Sequence, residues 1–162
     1  MIKLQEEIVI DAPVEDVFAL YEDHEKYHHW QPSIVQKSVD GRLRKGAKVT
    51  EVHNFIGTKM QIDGTITEYE QNKLIGFTGS GTTVKHIHYE DRFEAANGGK
   101  ATRVVVVAEF DPHDLFGIAR PLIERAARRD IRASLESAKD AIELAEQHQH
   151  VSKAAPKHDH HK

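Results

Sequence analysis

Alternation dominates the first ten residues of the chain. Ile2, Leu4, Ile8 and Ile10 share one parity, the pattern of a half-buried strand with its apolar side on a core. Asp11-Ala12-Pro13 ends it. Pro13 brings a preset φ and lacks an N–H, which suits the first turn of a helix, and Glu15 and Asp16 follow at the positive end of its dipole. Val14, Val17, Phe18 and Tyr21 then recur at i, i+3, i+4 and i+7, one apolar face of a short helix. A second short helix and an aromatic-rich turn close this region at Trp30-Gln31-Pro32, which holds the chain's only Trp.

From there the pattern predicts six strands, over 33–43, 47–56, 58–70, 74–80, 83–95 and 100–110. They are separated by turn residues such as Arg44-Lys45-Gly46 and the hairpin signal Asn97-Gly98-Gly99. Short connections imply an antiparallel sheet, seven-stranded once the first strand is counted. Pro112 ends the last strand, and a helical period runs to about residue 147. Its stripe is Phe116, Ala119, Ile123, Ala127, Ile131, Leu135, Ala138 and Ile142, with a kink or restart expected at Pro121. The fold class is α+β, and the small alanines facing the sheet imply a cavity beneath the helix. Residues 148–162 are polar, His-rich and aperiodic, so a disordered tail is expected after a single domain over 1–147.

Composition narrows the function classes. With 162 residues the chain can build one real core, and a formal net charge of -4 argues against a nucleic-acid or anionic-membrane binder. Having no Cys rules out disulfides, thiolate metal sites and cysteine nucleophiles. No stretch reads as a signal peptide or an integral membrane segment, so a cytoplasmic location is expected. There is no phosphate-binding Gly loop, Gly-x-Ser-x-Gly elbow or His-Glu-x-x-His motif, and no cofactor is expected.

The opening Ile8-Val9-Ile10-Asp11-Ala12-Pro13-Val14-Glu15-Asp16-Val17-Phe18, followed by Trp30-Gln31-Pro32, resembles the START-related, birch-pollen-allergen-like superfamily often called SRPBCC. Within it the chain is most similar to the bacterial polyketide cyclase/dehydratase and lipid-transport branch. Val52-His53-Asn54-Phe55-Ile56-Gly57, Ile66-Thr67-Glu68-Tyr69-Glu70, Gly98-Gly99 with Thr102-Arg103, Pro121-Leu122-Ile123 and Leu135-Glu136-Ser137-Ala138-Lys139 extend the match over roughly residues 1–146. The resemblance implies a helix-grip fold: a curved seven-stranded antiparallel sheet around a long C-terminal helix, with two short helices between strands 1 and 2. It also implies that Trp30 packs near a cavity mouth. Members include lipid and sterol carriers, polyketide cyclases, hormone receptors and chaperone activators, so no catalytic residue transfers by position.

Parity sorts the polar candidates. His86 and His88 share a face that could hold a metal, but Ile87, Tyr89 and Phe93 take the opposite parity, which points His86, His88, Glu90 and Arg92 to solvent. Glu51 and His53 could do acid–base work in a pocket, yet Val52, Asn54 and Ile56 are read as the inward set, which leaves Glu51 and His53 outside. Tyr27, His28, His29 and Trp30 suit either an amphipathic ligand or a packed corner. Arg120, Arg125, Arg128, Arg129 and Arg132 read as a solvated helix face with Glu124–Arg128 and Arg132–Glu136 pairs, and the tail histidines as an adventitious chelator.

The sequence thus points to a protein that encloses a small hydrophobic or aromatic molecule, lipid- or polyketide-like. Its expected cavity residues are Trp30, Val52, Asn54, Ile56, Met60, Ile62, Phe77, Ile87, Tyr89, Phe116 and Ile123. Asn54 and Tyr89 would orient the ligand, and no metal is expected. Two alternatives stand beside it: a cofactor-independent cyclase or dehydratase, which needs an ionisable pair inside the cavity, and a chaperone-activator-like interaction module, which needs an exposed apolar patch instead. Either a monomer or a dimer is compatible with the pattern.

Overall fold

The computed structural model describes residues 1–112 and 117–154, with side chains through residue 147. Seven strands, β1 (Ile2–Ile10), β2 (Ile34–Val39), β3 (Lys48–Phe55), β4 (Thr58–Glu70), β5 (Leu74–Ser80), β6 (Ile87–Ala96) and β7 (Ala101–Phe110), form one antiparallel sheet. Their order is β1-β7-β6-β5-β4-β3-β2, so the first two strands lie at opposite edges. The chain crosses between those edges through helix α1 (Val14–Glu22) and a 3₁₀ segment (His24–His29), the two short helices expected. Pro13 caps α1, and its carbonyl accepts from the N–H groups of Asp16 and Val17.

The long helix α2 (Arg120–Ala154) packs on β1 and closes the concave side of the sheet. It starts at Arg120, so Pro121 sits in its first turn, where a missing N–H costs nothing, and a kink is unnecessary. Ile123, Ala127, Leu135, Ala138 and Ile142 of the expected stripe are buried, and Ile131 is partly so. Ala119 is exposed ahead of the helix, and Phe116 lies outside the described residues. At the other end α2 passes the expected boundary at residue 147 and continues to Ala154; residues 155–162 lie outside the described residues. Two strands are shorter than their patterns, because residues 40–46 turn and 83–86 precede β6.

Polar contacts lock α2 in place. Arg128 and Arg132 both donate to Glu6 of β1, and the Lys139 ammonium donates to the Val9 carbonyl at 3.0 Å. Ser137 Oγ donates to the Trp30 carbonyl at 2.5 Å. The helix arginines therefore serve partly as an inward clamp rather than wholly as a solvated face.

At one place in the sheet the backbones of β4 and β5 leave no room for a side chain. Gly64 of β4 opposes Gly79 of β5, and a Cβ on Gly64 would lie 2.1 Å from the Thr78 carbonyl oxygen. Only glycine permits that approach within the thirteen-residue strand β4.

Candidate functional site

Between the concave face and α2 lies a cavity of about 150 Å³. Its apolar wall includes Phe55, Met60, Val84, Val106, Phe110 and Leu135, and its polar groups include Tyr21, Tyr27, His53, Tyr89, Asp91 and Asp130. Exposed Asn54 and half-buried Ser33 belong to its edge.

The polar end is built by strand register. A bulge in β2 between Ile34 and Gln36 shifts the alternation by one residue. Lys37 consequently turns inward and stands directly opposite Glu51 of β3, with Nζ 3.4 Å from Glu51 Oε2. Glu51 is wholly buried. His53 Nε2–H donates to Glu51 Oε1 at 2.8 Å, and the Tyr89 hydroxyl donates to Glu51 Oε2. Lys37 also lies 4.2 Å above the centre of the Tyr27 ring, a cation–π contact.

Electrostatics divides the two interior acids. Burial opposes ionisation of Glu51, but the Lys37 charge and the donors His53 and Tyr89 outweigh it and pull the carboxyl down to about 2. Asp91, on β6 and 6% exposed, is pushed up to about 7 by burial, which outweighs the opposing pull of the Lys37 charge, and the Glu51 charge adds a smaller push in the same direction as burial. Among the described residues nothing hydrogen-bonds its carboxyl. Burial also raises the Asp130 carboxyl on α2, while Arg129 and His53 hold it down in part. The Tyr21, Tyr27 and Tyr89 phenols are all raised, first by burial and then by neighbouring acids. The arrangement places a carboxylate held ionised near neutrality beside a carboxyl able to gain or lose a proton there.

Of the residues expected at the cavity, Asn54, Met60, Ile87 and Tyr89 line it. Trp30, Ile62, Phe77 and Ile123 are buried core around it; Trp30 packs on Tyr21 and Tyr27 at 4.9 and 5.0 Å between ring centres. Two expectations need correction. Val52 is on the outward face of β3, and Ile56 is 39% exposed at the tip of the β3–β4 hairpin. The inward parity of β3 is Val49, Glu51, His53 and Phe55, the reverse of the expected set. Both parities carry apolar residues, and here the buried pair Val49 and Phe55 prevails over Val52 and Ile56 because Lys37 and Tyr89 satisfy Glu51. Asp91 was legible, since it shares parity with the inward Tyr89 and Phe93.

On the opposite face of β6, His88, Glu90 and Arg92 alternate with Tyr89 and Phe93, and His86 precedes the strand; Arg92 is exposed, while His86, His88 and Glu90 are half-buried rather than fully in solvent. Glu68, His88 and Glu90 bring three ligand-type atoms within 4.8 Å of one another. Arg92 already donates to Glu90 at 2.8 Å, and Thr78 Oγ1 lies 2.7 Å from His88 Nδ1, so these groups form a surface ion-pair network.

The chain belongs to the polyketide cyclase/dehydrase and lipid transport family, whose model matches residues 1–143. Solved structures share its fold. A START superfamily protein from Mycobacterium smegmatis is 14% identical with a TM-score of 0.76, the match covering 88% of this chain and 98% of the other. The Zhui aromatase/cyclase from Streptomyces sp. R1128 is 15% identical at a TM-score of 0.76, covering 88% and 93%. A Thermus thermophilus protein is 18% identical at 0.76, covering 89% and 99%. No curated protein matches the chain in sequence. Among the described residues no helix is long and apolar enough to cross a membrane.

Proposed function

We propose that this protein encloses a small, mainly hydrophobic or aromatic molecule between its sheet and α2. The observation that carries the reading is the cavity itself, apolar along its wall and polar at one end. A cavity of about 150 Å³ suits a single ring or a short chain, since an engineered apolar cavity of that size admits benzene. Met60, Ile87, Val106 and Leu135 supply apolar burial at about 25 cal/mol per Å². Tyr89 and Asn54 remain the proposed orienting groups, joined now by Asp91. A cytoplasmic location belongs to the same proposal. Native mass spectrometry of freshly purified protein, followed by extraction, tests it: a stoichiometric small molecule is expected. Protein that is empty and ignores a panel of lipids and aromatics would overturn it.

One observation favours a second reading, a cofactor-independent cyclase or dehydratase. That activity requires ionisable groups inside the cavity, and Asp91 lines it with a carboxyl poised near 7. On this reading Asp91 takes a proton from the bound molecule and returns it elsewhere. Incubating the extracted molecule with wild-type protein and with Asp91→Asn separates the two: turnover lost in the variant supports catalysis, and an unchanged molecule supports carriage.

A further inference from the structure

We propose that the polar end of the cavity recognises a protonated amine, with Asp91 as its counter-ion and the Tyr21 hydroxyl as a second contact. The inference rests on the ligand-binding reading and names the chemistry of that ligand: a small aryl- or alkylamine whose apolar part occupies the cavity.

Three observations converge on it. Asp91 is buried, lines the cavity, and receives no hydrogen bond from any described residue. Tyr21 also lines the cavity, and its buried hydroxyl has no partner among the described residues. Buried polar groups are nearly always paired, so two unpaired ones at one cavity end mark where an incoming group makes its bonds. An ammonium answers both, donating to the carboxylate and to a phenolic lone pair.

Charge on the surrounding elements selects a cation. Lys37 on β2 is held by Glu51 and by the Tyr27 ring of the 3₁₀ segment. Glu51 on β3 is ionised, and His53 beside it is bonded to Glu51. Tyr89 on β6 spends its proton on Glu51, Tyr21 comes from α1, and α2 contributes another acid, Asp130. With Lys37 balanced by Glu51, an ionised Asp91 leaves the interior with excess negative charge. A bound ammonium neutralises it, and the Tyr21 and Tyr27 ring systems add attraction for a cation. Burial holds Asp91 near 7. An amine that requires its carboxylate form should therefore bind about tenfold more tightly at pH 8 than at pH 6, following the ionised fraction.

The test uses the full chain, with 2-phenylethylamine and its neutral counterpart 2-phenylethanol as probes. Binding is followed by calorimetry and by fluorescence of Trp30, which packs on Tyr21. The amine is expected to bind at least tenfold more tightly than the alcohol at pH 8, with that margin mostly lost at pH 6. In Asp91→Asn, checked for native near-ultraviolet dichroism, the margin should disappear at both values. A measurement without any variant runs in parallel: carboxyl carbon NMR, in which saturating amine should lower the Asp91 midpoint by one pH unit or more. Equal binding of alcohol and amine, independent of pH, overturns the amine inference and leaves the ligand-binding reading standing. Amine binding with no movement of the Asp91 midpoint also overturns it. If neither probe binds, the inference fails, and native mass spectrometry decides separately whether the cavity takes another class of molecule.

Discussion

The Tyr89 hydroxyl donates to the carboxylate of Glu51, a residue 38 positions earlier and separated from it in the sheet by β4 and β5. This bond spans the concave side and ties the two halves of the curved sheet around a charge. Together with Lys37 and His53 it keeps a buried carboxylate ionised in surroundings that would otherwise neutralise it.

Breaking that assembly from one side should be expensive. Glu51→Gln leaves the Lys37 ammonium buried without its counter-ion, and a loss of about 3–5 kcal/mol is expected in urea denaturation at pH 7. Replacing both partners, Lys37→Met with Glu51→Gln, should recover much of it. The sign with pH follows from the lowered carboxyl. Its folded value is about 2 against an ordinary 4.5, so its stabilisation is full above 4.5 and vanishes as pH falls towards 2. Denaturation curves between pH 5 and 2 should be shallower in Glu51→Gln than in the wild type.

Asp91 carries the opposite sign. Between its ordinary 3.8 and its folded value of about 7, the native protein keeps a proton that the unfolded chain releases, so stability falls as pH rises through that window. Asp91→Asn should stabilise the empty protein by about 1–3 kcal/mol at pH 8 and by little at pH 4. Melting curves at the two pH values check this, and a stability gain independent of pH contradicts it.

The β3–β4 hairpin turns on Ile56 and Gly57, both with positive φ, at 49° and 75°. A β-branched residue is strained there, whereas Asn-Gly is the preferred pair for such a two-residue turn. Ile56→Asn should raise stability by about 0.5–1 kcal/mol and leave occupancy of the cavity unchanged, because Ile56 lies outside it. Chemical denaturation with a parallel binding titration measures both.

Gly64 offers a test of how tightly β4 and β5 are paired. Its Cβ would meet the Thr78 backbone oxygen, so β4 and β5 must separate to admit it. Gly64→Ala should cost about 1–3 kcal/mol, and slower amide exchange anywhere along the β4–β5 ladder would contradict the expectation of a loosened sheet.

Fold and site were legible to different degrees, and particular residues show why. Ile2, Leu4 and Ile10 announce β1, Val17, Phe18 and Tyr21 announce α1, and Ile123 to Ile142 announce the buried face of α2, because each pattern repeats at the period of its own element. Asp91 could be read the same way. Glu51 could not. On β3 each parity holds apolar residues, and the deciding facts come from other strands: Tyr89 on β6, and Lys37 on β2.

The sequence by itself determined the elements, their antiparallel pairing and the family. Those depend on local period, turn chemistry and residues close along the chain. Tertiary structure alone decided what the cavity contains. A bulge between Ile34 and Gln36 turned Lys37 inward, and sheet curvature brought Tyr89 over Glu51. Burial then left Asp91 and the Tyr21 hydroxyl without partners at the cavity wall, among the described residues. The physical reason is that burying a charge is favourable only when distant groups compensate it, and alternation along one strand carries no information about those groups.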